Sequence, residues 1–217
     1  MGEVEVDGFH QTITIRSNII TYGDGANEQL TASIREEIES MWNDPKGMIR
    51  IMGTPFSVSF RINAELKSSI EMVEIYSNLD PRNNYFRIEE YAHGNISFVD
   101  GLGSNSGYFK VENLYVGSTT AAHEYGHTLG LDHPINLDLR GKGTPGIMYP
   151  RGTLVDPQFQ YEPLKPAGVK GGTMYPIYRK VFADDITSLK LERLRFKNNK
   201  AVLGEFTNIF HQNHAAR

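Results

Sequence analysis

Cysteine is absent from all 217 residues. Disulfides, thiolate zinc sites and a cysteine latch over an active site are thereby excluded, so the fold must rest on its apolar core and on any metal it binds. The redox compartment stays open, because a cysteine-free chain suits either environment. Long hydrophobic runs are missing too, and no transmembrane helix is expected. Met1–His10 is acidic and polar and lacks the basic and apolar regions of a signal peptide; an exported form would have lost its signal or use another route. Neither sign of charge dominates: 22 Lys and Arg against 26 Asp and Glu give a formal net charge of −4, which points to neither a nucleic acid nor a membrane as partner. No repeat of the solenoid kind is present.

What is there fits an ordinary globular chain, 39% apolar and 22% charged, long enough for one sizeable core that a cleft can split into two lobes. Gln11–Ile20 sets Ile13 and Ile15 among Thr12, Thr14 and Arg16, the alternation of a half-buried strand. Gly23-Asp24-Gly25 makes a turn. Asn27–Trp42 reads as a helix with Leu30, Ile34, Ile38 and Met41 on one stripe and Arg35, Glu36 and Glu39 opposite, ended by Asp44-Pro45. The single tryptophan, Trp42, is expected in the core at that helix end.

Met48–Met52, Val58–Ile62, Ile70–Tyr76, Tyr85–Ile88, Asn95–Val99 and Tyr108–Val116 all read as strands, with Gly-rich Asp100–Gly107 as a loop among them. Pro134–Tyr178 is rich in Pro and Gly without sustained period, a length of irregular chain typical of binding loops. Phe182, Ile186 and Leu189 fit a helix stripe with Asp184 or Asp185 near its start. Val202, Phe206, Ile209 and Phe210 form a weaker helical face, interrupted by Gly204.

Thr119–His133 carries the chemistry. His123, Glu124, His127, Gly130 and His133 stand in the spacing H-E-x-x-H-x-x-G-x-x-H. Histidines four apart lie one above the other on a helix face, so both rings reach one metal ion. Gly130 lets the chain leave the helix in a left-handed conformation that returns His133 as a third ligand. Three neutral imidazoles suit zinc and leave a fourth position for water, toward which Glu124 can point. Zinc brings the pKa of such a water to about 7, and Glu124 is then the general base. Asp132 either orients a ligand ring or is a solvated carboxylate at the helix end. His10, His211 and His214 read as exposed histidines outside any site.

The motif, within Asn113–His133, resembles the zinc helix of the metzincin clan of endopeptidases, and of matrix metalloproteinase-like catalytic domains in particular. Gly146-Ile147-Met148-Tyr149-Pro150 is similar to their Met-turn, in which a methionine lies beneath the metal. Gly172-Thr173-Met174-Tyr175-Pro176 repeats the same words, so Met174 is an alternative to Met148; the turn chemistry around Gly146 favours Met148, while Met174 lies nearer the last helix. The resemblance implies an α+β fold in one catalytic domain, residues 1–217. A twisted mixed sheet with two helices would lie above the cleft in residues 1–133, and a small irregular lobe with a C-terminal helix below it in residues 134–217.

It also implies a zinc endopeptidase whose peptide substrate lies along an edge strand, either Asn95–Val99 or Tyr108–Val111, with a pocket below the metal for the side chain after the scissile bond. The family's structural zinc would need an acid where Asn95 stands, so His93 is read as a surface or structural histidine. Calcium at Asp100 is explained more simply by an Asp-Gly turn. Gly146–Tyr161 resembles C-terminal domains of bacterial Rhs-type toxins, which implies delivery outside the producing cell and an inhibitor or immunity protein as partner. Two other readings compete: a binding module that keeps zinc for structure, against which Glu124 argues, and a zinc hydrolase of a non-peptide amide.

Overall fold

The computed structural model describes residues 1–214. The sheet is built around β2 (Thr12–Tyr22), flanked along its length by β4 (Thr54–Leu66) in parallel. On its other side, β1 (Gly2–Asp7) pairs antiparallel with Thr12–Arg16 and β5 (Asn83–Glu89) pairs parallel with Asn18–Tyr22. The order β3-β4-β2-β5-β7-β6 is completed by β3 (Met48–Ile51), β6 (Phe98–Val99) and β7 (Ser106–Lys110), with β3 and β6 antiparallel to their neighbours. β8 (Lys200–Leu203) returns from the far end of the chain to pair with β1.

Burial along β2 follows from what covers it. In its first half Ile13 and Ile15 point to the main core while Thr12, Thr14 and Arg16 do not. From Ile19 to Tyr22 every residue is buried, because the second face is covered by a small cluster of Ile20, Tyr22, Ile75 and Tyr85 with Phe210 packed against it. The main core lies between the sheet and α1 (Glu28–Asn43), whose Thr31, Ile34, Ile38 and Trp42 are buried and whose start is capped by Asn27 Oδ1 accepting from Leu30 N at 2.9 Å.

Two expectations are corrected. Ile70–Tyr76 is not a strand: Met72–Tyr76 is a short helix, α2, that buries Ile75 on the second face of the sheet. Among the described residues, Val202, Phe206, Ile209 and Phe210 lie on no helix. After β8 the chain runs across the sheet as an extended strap: Asn105 Oδ1 accepts from Thr207 N and Asn208 N, Tyr22 Oη accepts from His211 N, and Phe210 stacks on Tyr22. The chain beyond residue 133 therefore splits in two, an irregular lower lobe and a return to the upper sheet.

The α+β layout is the expected one, although the strand expected at Tyr108–Val116 gives way after Lys110 to a 3-10 turn, Val111–Asn113, and of Asn95–Val99 only Phe98–Val99 is strand. Helix α3 (Thr120–Thr128) runs beneath the sheet, irregular chain follows it, and α4 (Ala183–Ser188) sends Ile186 into the main core. The lower lobe has its own small apolar cluster of Leu139, Val155 and Met174. No helix among the described residues is long and apolar enough to cross a membrane.

Candidate metal centre

Helix α3 is held from two sides. From α1, the Trp42 indole N–H donates to Ala122 O at 3.0 Å, and Glu37 Oε1 accepts from Ala122 N at 3.1 Å. From β2, Ser17 Oγ lies 2.9 Å from Tyr125 Oη in the core. Gly126 lets Met148 press against the helix: a Cβ there would stand 2.3 Å from Met148 Sδ and 3.2 Å from Trp42 Cζ2. At the far end His127 O accepts from Gly130 N at 3.0 Å, and Gly130 has a φ of 92°, the left-handed cap expected of it. That turn brings His133 back over the helix.

The three histidines meet. His133 Nε2 lies 3.1 Å from both His123 Nε2 and His127 Nε2. The other ring nitrogens of the helical pair face carbonyls: His123 Nδ1 is 2.7 Å from Ile147 O, and His127 Nδ1 is 2.7 Å from Leu131 O. A carbonyl accepts only, so each Nδ1 carries the proton and each of these Nε2 atoms presents a lone pair. Those two lone pairs converge on His133 Nε2, a spacing that one cation among the three nitrogens would satisfy, and the donor set fits zinc. Burial holds the pKa of all three rings below the usual histidine range, most strongly at His123, where Arg179 adds to it; neutral imidazole is the ligand form. Among the described residues these three form the group able to hold a metal ion.

Glu124 follows His123 on the helix and is 6% exposed. Burial pushes its carboxyl up to about 8, against the opposing pull of Arg179 and Arg151. A divalent cation at the histidines adds to that pull and favours the carboxylate. A cleft of about 500 Å³ opens beside these residues, bordered above by Ile96, Phe98 and Val99 and below by Pro150, Arg151 and Arg179. Its upper border includes β6, the last strand of the sheet, whereas β7 lies between β5 and β6. Asn95–Val99 therefore flanks the cleft and Tyr108–Val111 does not supply the free edge.

The two Met-Tyr-Pro segments part company. Met148 belongs to the main core with Ala122, Tyr125 and Trp42, directly under α3. Met174 is fully buried in the lower-lobe cluster. Asp132 Oδ1 accepts from the His133 backbone N–H at 2.7 Å, which steadies the loop that delivers the third histidine.

Of the remaining histidines His10 is exposed as expected, and two others correct the sequence reading. His211 and His214 are half-buried, not exposed: His211 Nε2 lies 2.9 Å from Asp100 Oδ2, and His214 stacks on Tyr108 at 4.1 Å and on His93 at 4.6 Å. Asp100 is thus engaged with the C-terminal strap. Arg151 and Arg179, both in the cleft, were not singled out from sequence. Arg151 directly follows Met148-Tyr149-Pro150, so its neighbourhood was readable; nothing local marks Arg179.

No protein-family model matches the chain, and no curated protein matches it. Among solved structures, archaemetzincin from Methanopyrus kandleri is similar with a TM-score of 0.44 and 13% sequence identity, over 82% of this chain and 95% of that one.

Proposed function

We propose that the chain is a zinc-dependent endopeptidase of the metzincin kind. The observation that carries this reading is the convergence of three imidazole nitrogens, two on α3 and one returned by the Gly130 turn, beside a buried carboxylate on the same helix in an open cleft. A purely structural zinc would have a closed fourth position and no need of that carboxylate. His123, His127 and His133 would hold the ion, which when bound supplies Lewis-acid polarisation of a water and of the scissile carbonyl.

The chain's own residues do the rest. Glu124 takes a proton from the attacking water and hands it to the leaving amine nitrogen, which completes the cleavage. The free edge of β6 offers main-chain donors and acceptors to an extended peptide laid along the cleft. The Ile147 and Leu131 carbonyls fix the ring orientation of the two helical histidines. Kinship with matrix metalloproteinase-like domains, a destination outside the producing cell, a toxin role and a dedicated inhibitor are supported by the sequence resemblance alone.

Metal analysis and cleavage of a mixed peptide library test the proposal. The expected result is one zinc per chain and endoproteolytic products, with Glu124→Ala keeping its zinc and losing about 10²–10⁴ in turnover. A wild-type protein that holds one zinc and cuts no peptide would defeat the peptidase reading.

A further inference from the structure

We infer that the substrate carries a carboxylate beside the scissile bond and that Arg151 recognises it. The inference rests on the peptidase reading and names its substrate class.

Two guanidinium groups, those of Arg151 and Arg179, lie on the border of the cleft that holds His123 and Glu124. Neither is in an ion pair among the described residues. The contrast with Arg87, another largely buried arginine, is direct: it is paired with Glu89. Arg179 is committed to structure. It is 4% exposed, and its Nε donates to Thr119 Oγ1 at 2.8 Å, Nη2 to Ser118 O at 3.1 Å and Nη1 to Tyr149 O at 3.2 Å. These bonds fasten the lower lobe to the start of α3.

Arg151 is held differently. Nη1 donates to Asn113 Oδ1 at 2.9 Å and Nη2 reaches Thr120 Oγ1 at 3.3 Å, two neutral acceptors that aim the fork without neutralising it. A guanidinium has five N–H donors, so three remain, on a half-buried group whose neighbours include a second cation. Glu124 and Glu112 act on this charge only through space, with no ion pair to it, and a carboxylate brought into the cleft matches the fork with two parallel bonds. The carboxylates already in the cleft have other places: Glu124 stands beside the histidines, and Asp132 Oδ1 accepts from the His133 backbone. The opposite border, Ile96, Phe98, Val99 and Leu102 with Asn95 and Ser97 among them, carries no cation. An acidic group therefore has a recognition point on one side of the cleft only.

The carboxylate is either an Asp or Glu side chain or a free C-terminus one residue from the cut. The test uses the zinc-loaded full chain and peptides matched except for Glu, Gln, Leu or Lys at the position flanking the cleaved bond. One series is amidated and long; the other ends in a free carboxylate next to that bond. The expected result is a kcat/KM preference for Glu over Gln of about tenfold or more, the size of a charge-assisted hydrogen bond, shrinking as salt is raised.

In Arg151→Gln the preference collapses, and in Arg151→Glu it turns toward Lys. Arg151→Lys, which keeps the charge and loses the fork, gives an intermediate ratio. A preference confined to the free-acid series identifies the C-terminal carboxylate as the group read. Equal cleavage of Glu, Gln and Lys peptides in both series by the wild-type protein overturns the inference and leaves the peptidase standing. No cleavage of any peptide removes both.

Discussion

The same words, Met-Tyr-Pro preceded two places earlier by glycine, occur twice in this chain and fold into different things. At Gly146–Pro150 they make a turn, closed by Tyr149 N donating to Gly146 O at 3.2 Å, that drops Met148 onto α3 and points Ile147 O at His123. At Gly172–Pro176 they leave a turn, closed by Gly172 N donating to Val169 O at 2.8 Å, and run extended only at Met174 and Tyr175, whose N–H groups donate to Thr153 O at 3.0 Å and Phe159 O at 2.9 Å; Met174 fills a cluster away from the histidines. The difference is made by partners distant in sequence. One methionine meets a helix that has Gly126 where a side chain would block it, and the other meets loops that need an apolar plug. A motif's identity thus depends on the surface waiting for it.

The sharpest way to break this contrast is to truncate both methionines. Met148→Ala is expected to cost about 2–5 kcal/mol of stability and to weaken zinc binding roughly 10–100-fold, because the cavity opens under the helix that carries two ligands. Met174→Ala is expected to lose stability in the same range while keeping its zinc affinity. Denaturant melts and competition with a zinc chelator read the two quantities separately, and equal losses of zinc affinity would erase the distinction.

A smaller effect lies at the glycines. A Cβ at Gly172 would stand 1.9 Å from Pro166 O, a backbone atom that cannot swing aside, whereas at Gly146 the nearest atom, Tyr149 Cδ2, is 3.6 Å away. Gly172→Ala is therefore expected to cost about 1–3 kcal/mol by overpacking and Gly146→Ala to stay near wild type. Thermal melts showing the reverse order would mean that Gly146, not Gly172, is the crowded position.

The smallest effect is electrostatic and sits where the lower lobe rejoins the core. Asp185 Oδ2 accepts from Phe182 N at 2.7 Å at the start of α4, and burial raises its carboxyl to about 6. A carboxyl raised above its unfolded value favours the folded state fully below about pH 4, and that contribution is lost as pH rises through about 6. Asp185→Asn keeps an acceptor and removes the charge, so it should stabilise by about 1–2 kcal/mol at pH 7.5 and by little at pH 4. Melts at the two pH values check this; stabilisation that grows toward acid would contradict it.

Legibility in the sequence followed the range of the interactions. β2, α1 and the histidine spacing were readable because each is a local period set by 2.0 or 3.6 residues. Ile70–Tyr76 misled because five apolar residues in seven suit a strand or a single helical turn equally, and packing under Tyr85 decided for the helix. The C-terminal face of Val202, Phe206, Ile209 and Phe210 has helical spacing, yet Asn105, Tyr22 and Asp100, about a hundred or more residues away, capture that chain as a strap. The cleft's cationic side was invisible for the same reason. Arg151 and Arg179 stand 28 positions apart and meet only through the path of an irregular lobe.

The hydrogen bond from Trp42 to Ala122 has an optical consequence. This chain has one tryptophan, fully buried, and its indole is joined to the residue just before His123. Its fluorescence is therefore a single-site reporter without any label: blue-shifted while the core is intact, red-shifted when the fold opens, and altered in intensity whenever the histidine helix is drawn tight. Zinc loading of the proposed centre is therefore expected to change the emission of this residue, which a titration of the metal-free chain with zinc would read directly.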